Sequence, residues 1–135
     1  MPRQRPAWSW SSNSIETPIM PSSGLFRSIN RQDAFGGSSG SGIKIAVIDS
    51  GIDNDHPAVA GAVKGWSEPS IKADGEIGFV EEPHSDLSGH GTACAGIIHS
   101  IAPDAEIYSV RVLGQRLSGK GRVFASGLRW AIDNH

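Results

Sequence analysis

The sequence predicts an α/β fold with a mostly parallel sheet, and three observations carry that prediction. The run Ile43-Lys-Ile-Ala-Val-Ile-Asp49 is short, apolar, rich in β-branched residues and bounded by polar, glycine-containing segments, as buried parallel strands are. The stretch from His90 to about Ser100 has the small and apolar residues of a tightly packed helix. A second strand and a second helix follow it, and this β…α–β–α order belongs to parallel sheets with helical crossovers.

Residues 1–42 are rich in Ser, Pro, Gly and Asn and show little periodicity. They read as a flexible lead-in or linker with a short helical turn around Leu25–Ala34, leaving 43–135 as the folded portion. Trp8 and Trp10 would dock onto the body or onto a partner. After the first strand, Val63–Trp66 and Ile77–Val80 are weaker strand candidates in a polar, irregular stretch. Pro103-Asp104 makes a turn, and Glu106-Ile-Tyr-Ser-Val-Arg-Val-Leu113 reads as the next strand. Ser118-Gly-Lys-Gly121 leads into a final helix over Arg122–Asn134, with Val123, Leu128, Ala131 and Ile132 expected near one face.

Composition excludes several classes. The 135 residues are 38% hydrophobic and 19% charged, with a net charge of −2. That balance gives no electrostatic grip on nucleic acid or an anionic membrane. No apolar run approaches the roughly 18 residues that span a bilayer. The single cysteine cannot form an internal disulfide. Arginines at the N-terminus are not followed by an apolar segment, so no secretory signal is read there, and the expected location leans to the cytoplasm.

Chemistry concentrates in two motifs, Ala46-Val47-Ile48-Asp49-Ser50-Gly51-Ile52 and Gly89-His90-Gly91-Thr92-Ala93-Cys94-Ala95-Gly96. Functional groups in open α/β sheets collect at the carboxyl ends of strands, where Asp49 sits. There a carboxylate can accept a hydrogen bond from a histidine Nδ1 and fix the tautomer that a general base requires. The flanking glycines are expected to keep His90 clear for substrate and nucleophile, and Ala93, Ala95 and Gly96 to let the helix pack closely. An aspartate that ends a strand is ordinarily a turn former or a cap, and one histidine says no more by itself. Specificity lies in the joint pattern.

That joint pattern resembles the N-terminal part of a subtilisin-like serine protease, the subtilase family, whose triad runs Asp, His, Ser along the chain. Ala46–Ile52 is similar to the motif around the family's catalytic aspartate, and Asp55-His56-Pro57 to the His-Pro that follows it. Gly89–Gly96 is similar to the motif around the catalytic histidine. Ala102-Pro103-Asp104-Ala105 with Ile107–Leu113 resembles the segment leading to the next core strand. The resemblance implies a three-layer subtilisin-like fold, incomplete in this chain, with Asp49 and His90 as triad acid and base. It places Ser118, Gly119, Lys120 and Gly121 at the edge that holds an extended polypeptide substrate by strand addition. An ordinary glycine turn is the alternative for that loop. His56 is expected to organise a turn, and Cys94 to be a small buried hydrophobe whose nearness to His90 would confer sensitivity to thiol reagents.

No serine here has the family's Gly-Thr-Ser context. Gly36-Gly37-Ser38-Ser39-Gly40 matches G-x-S-x-G formally, but lacks the preceding strand and following helix that this elbow needs. Ser50, Ser88 and Ser126 do not fit either. The chain is therefore expected to be a fragment or to be completed by a missing C-terminal half, and to be marginally stable and aggregation-prone alone. A truncated, non-catalytic peptide-binding module is the alternative function. A metal or nucleotide site is disfavoured: Asp49, Asp53, Asp55 and His56 lack the glycine and terminal glutamate of an EF-hand loop, and His84, Asp86, His90 and His99 lack a zinc-site spacing. No cofactor is expected. Calcium often stabilises subtilases, but no residue identifies a calcium site.

Overall fold

The structure, a computed structural model, describes residues 30–134. Trp8, Trp10 and the expected helical residues 25–29 lie outside the described residues. The elements are α1 (Arg31–Phe35), β1 (Lys44–Asp49), β2 (Val63–Ile71), β3 (Ile77–Val80), α2 (His90–Ile101), β4 (Glu106–Arg111) and α3 (Gly121–Asn134). The four strands form one mixed sheet in the order β1-β4-β2-β3. β4 lies parallel to both β1 and β2, and β3 runs antiparallel to β2 at the edge.

β4 has a neighbour on each side and is correspondingly the most buried strand, with Ile107, Ser109 and Val110 fully inaccessible. Because side chains alternate across a strand, Ile107 and Val110 serve opposite faces. On one face Val47, Ile52, Val59, Ala62, Val63 and Ile107 surround Ala95 of α2 to form the main core, with Cys94 packed beside it. On the other, Gly127 of α3 is seated against Val110 and Val112. Helices thus cover both faces of the sheet, which is the three-layer arrangement expected.

Three details depart from expectation. β2 continues past Trp66 to Ile71 because Glu68–Ile71 pair with Ile77–Val80 in a hairpin, a partner that periodicity cannot reveal. Ala93 is exposed, so α2 packs through Gly91, Thr92, Ala95 and Gly96. In α3 Gly127 is buried while Leu128 and Ile132 remain 47% and 65% exposed. The stripe through Val123, Gly127 and Ala131 meets the sheet, and the bulkier Phe124, Leu128 and Ile132 face outward.

Residues 30–42, expected within the lead-in, are joined to the body by hydrogen bonds. Asn30 caps α1 through a reciprocal pair of bonds with Asp33. Arg31 donates to the carbonyls of Ser100 and Ile101 at the end of α2. The Asp104 amide donates to Ser39 O at 2.9 Å, and that of Glu106 to Ile43 O at 2.9 Å.

Candidate active site

Asp49 ends β1 and His90 begins α2, and the fold brings the two together. His90 Nδ1 lies 2.7 Å from Asp49 Oδ2. The Asp49 side chain is 12% exposed and that of His90 54%, so a sheltered carboxylate holds one side of a ring whose other side faces solvent. The second carboxylate oxygen of Asp49 accepts the Ser50 amide at 2.7 Å. Its main-chain carbonyl accepts the amides of Val112 and Leu113, at 2.8 and 3.1 Å, tying the exit of β1 to that of β4. A histidine held at Nδ1 by a carboxylate presents Nε2 in the tautomer that removes a proton from a nucleophile.

Glycine fits beside His90 for a reason that the sequence does not display. A Cβ at Gly91 would meet the carbonyl oxygen of Gly51 at 2.1 Å, so the helix start is pressed against the strand exit, not cleared for a ligand. Gly51 itself has φ of 102°, a left-handed conformation that turns the chain sharply away after Ser50.

The N-cap of α2 is Gly89, which has no side chain to satisfy the orphan amides of the first turn. Residues outside the helix do so instead. Asp86 Oδ1 accepts the Gly89 amide at 2.9 Å and the Ser88 amide at 3.0 Å, and Asp86 Oδ2 accepts that of Thr92 at 2.8 Å. Ser88 Oγ accepts the His90 amide, and Ser50 Oγ that of Gly91. Asp86 also receives the hydroxyls of Ser50 and Thr92, at 2.7 and 2.5 Å. Partial burial pushes the Asp86 carboxyl up. The bonds from the Thr92 hydroxyl, the Ser88 amide, the Ser50 hydroxyl and the Thr92 amide outweigh that and hold it well below the usual carboxylate range.

Asp86, expected only among the candidate metal ligands, instead anchors the start of the helix that carries His90. Its signal was available: an acid just ahead of a helix whose cap position is glycine.

Ser118–Lys120 form an exposed loop between β4 and α3, in which Ser118 O accepts the Gly114 amide and Lys120 O that of Phe124, while Gly121 is already the first residue of α3. The loop follows β4, so it emerges at the same end of the sheet as Asp49. His56 Nδ1 accepts the Ala58 amide, and its carbonyl accepts Val59 and Ala60, which binds it into the turn after β1. Ser126 donates to Arg122 O within α3. His84 Nε2 is 2.8 Å from Ser109 Oγ. Cys94 Sγ is 3.9 Å from His90 Nδ1, and Asp49, His90 and Cys94 each bring a potential metal-ligating atom within 4.8 Å of the others. Asp49 Oδ2 lies at hydrogen-bond distance from Nδ1, 2.7 Å, an arrangement that suits a shared proton.

A mixed, mainly parallel α/β sheet with an aspartate at the end of β1 facing a histidine at the start of α2 is the arrangement the structure shows. Comparisons with known proteins identify the family. The family model described as the subtilase family matches residues 40–135, and the chain belongs to that family. It is 36% identical over 111 residues to Subtilisin E of Bacillus subtilis (strain 168), covering 73% of this chain and 26% of that protein. The crystal structure of a lanthipeptide protease matches with a TM-score of 0.60 at 31% identity, covering 78% of this chain and 31% of that one. A cold-adapted subtilisin-like serine proteinase matches with a TM-score of 0.56 at 30% identity, covering 73% and 34%. The fold is therefore an incomplete subtilisin-like α/β fold. The chain spans about a quarter of the length of Subtilisin E.

Proposed function

We propose that Asp49 and His90 are the acid and base of a serine endopeptidase that cleaves peptide bonds in extended polypeptides. The observation that carries this reading is the 2.7 Å contact between His90 Nδ1 and Asp49 Oδ2, with the His90 side chain about half exposed. In the reaction His90 Nε2 would take the proton of a serine hydroxyl as it attacks the scissile carbonyl, then return it to the leaving amine. Asp49 would keep the ring oriented and stabilise the imidazolium between those steps. The exposed loop Ser118–Lys120 with Gly121 at the start of α3, at the same end of the sheet as Asp49, would align the substrate backbone. Among the described residues no hydroxyl is hydrogen-bonded to His90 Nε2. The nucleophile and the oxyanion donors are therefore assigned to polypeptide outside them.

The test is the intact mass of the protein as its native host produces it, followed by its activity on an unfolded polypeptide. A mass above 14.2 kDa, with proteolysis abolished by His90→Ala, is the expected result. A mass of 14.2 kDa with no hydrolysis would overturn the enzymatic reading and leave a peptide-binding module.

A further inference from the structure

The hydrogen bonds at the start of α2 do more than cap a helix. Four consecutive amides, from Gly89 to Thr92, each donate to a side-chain oxygen, and every acceptor belongs to Asp86, Ser88 or Ser50. A cap alone needs nothing from the segment that follows β1. Here Ser50, fully buried and next to Asp49, donates its hydroxyl to Asp86 and accepts both the Ser88 hydroxyl and the Gly91 amide. Thr92, on the other carboxylate oxygen of Asp86, accepts the Asp53 amide at 2.9 Å. The two segments that carry the acid and the base are thus joined on both sides of one carboxylate.

We propose that Asp86 is a positioning residue of this site, which sets the separation and angle between Asp49 and His90 through Ser50 on one oxygen and Thr92 on the other. The inference rests on reading Asp49 and His90 as a working acid–base pair, and it names what holds that pair in register. A base displaced by about 1 Å from its productive geometry loses on the order of 100-fold in rate, so a brace linking both residues has a kinetic consequence separate from folding. Neutralising Asp86 to asparagine removes the charge and leaves one oxygen where two had served five donors.

The experiment follows the low-field proton resonance of the His90 Nδ1–H···Asp49 bond by NMR in the full chain, assigned by its loss in His90→Gln. Asp86→Asn is expected to abolish or broaden that resonance while far-UV circular dichroism is retained. In the active protein it should lower kcat on the order of 100-fold with KM unchanged. Thr92→Ser, which keeps the hydroxyl, should behave as wild type, and Thr92→Val should follow Asp86→Asn. Should Asp86→Asn not fold, Ser50→Ala provides the same test, because it cuts the link to β1 while Asp86 still holds the Gly89 and Thr92 amides. A folded variant, Asp86→Asn or Ser50→Ala, that keeps both the resonance and kcat would overturn the proposal and leave Asp86 as a helix cap. If wild-type protein cleaves no peptide bond and the resonance still responds to these substitutions, the catalytic reading fails and the positioning role stands.

Discussion

At the residue scale the site depends on contacts much tighter than its motifs suggest. Asp49→Asn in the active protein should reduce turnover by roughly 10⁴ with the fold intact, because an amide no longer enforces the histidine tautomer. Steady-state kinetics on a peptide substrate check this, and near-normal turnover would remove Asp49 from the mechanism. Gly91→Ala forces a methyl onto the Gly51 carbonyl at 2.1 Å, where backbone atoms have no flexible end to yield. Overpacking of this kind costs about 1–3 kcal/mol, which a lowered urea midpoint would register. The motif shows both glycines, yet only the packed structure shows that Gly91 serves the approach of strand and helix and not access to His90.

At the scale of elements, β4 and the loop ahead of α2 give two further expectations. Ile107 is fully buried in the central strand, so Ile107→Ala should destabilise the chain by about 2–5 kcal/mol in chemical denaturation. His84, in the loop between β3 and α2, contacts Ser109 of β4. Burial lowers its pKa from 6.5 to about 4, helped by the Arg111 charge and opposed by Glu68 and a main-chain bond at Glu82. Between those two values the unfolded chain binds more protons than the folded one, so this contribution to stability is complete above pH 6.5 and is lost as pH falls toward 4. His84→Gln should flatten the stability profile in that window. Asp86 acts lower on the scale, since its depressed pKa contributes stability that is complete above the ordinary carboxylate value and is lost as pH falls from that value downward. A profile unchanged by His84→Gln would show that the imidazole is not sheltered as described.

For the molecule as a whole, the described surface exposes a sheet edge and an apolar helix face. β1 has a single strand neighbour among the described residues, and Phe124, Leu128 and Ile132 expose an apolar stripe along α3. Unpaired edges and contiguous apolar surface favour association. The 135-residue chain should therefore sediment with an average mass that rises with concentration. Replacing Phe124, Leu128 and Ile132 together with serine should reduce that rise while leaving the far-UV spectrum unchanged. A concentration-independent monomer with a cooperative melt would contradict this account.

How much could be read in advance follows from the range of the interactions involved. Strand β1, helix α2, strand β4, the turn at Pro103-Asp104 and the Asp49–His90 pair were legible, because local periodicity and two compact motifs carry them. The length of β2, the packed face of α3 and the bonds by which Asp86 joins Ser50 to Thr92 were not. Each depends on partners distant along the chain: Ile77–Val80 for β2, Val110 and Val112 for Gly127, and Ser50 and Thr92 for Asp86. By itself the sequence determined the fold class, the family resemblance and the two residues that meet at the strand ends. Only the tertiary structure decided which side chains hold them in register and which apolar face remains uncovered, since those depend on which distant surfaces meet when the sheet and its helices close.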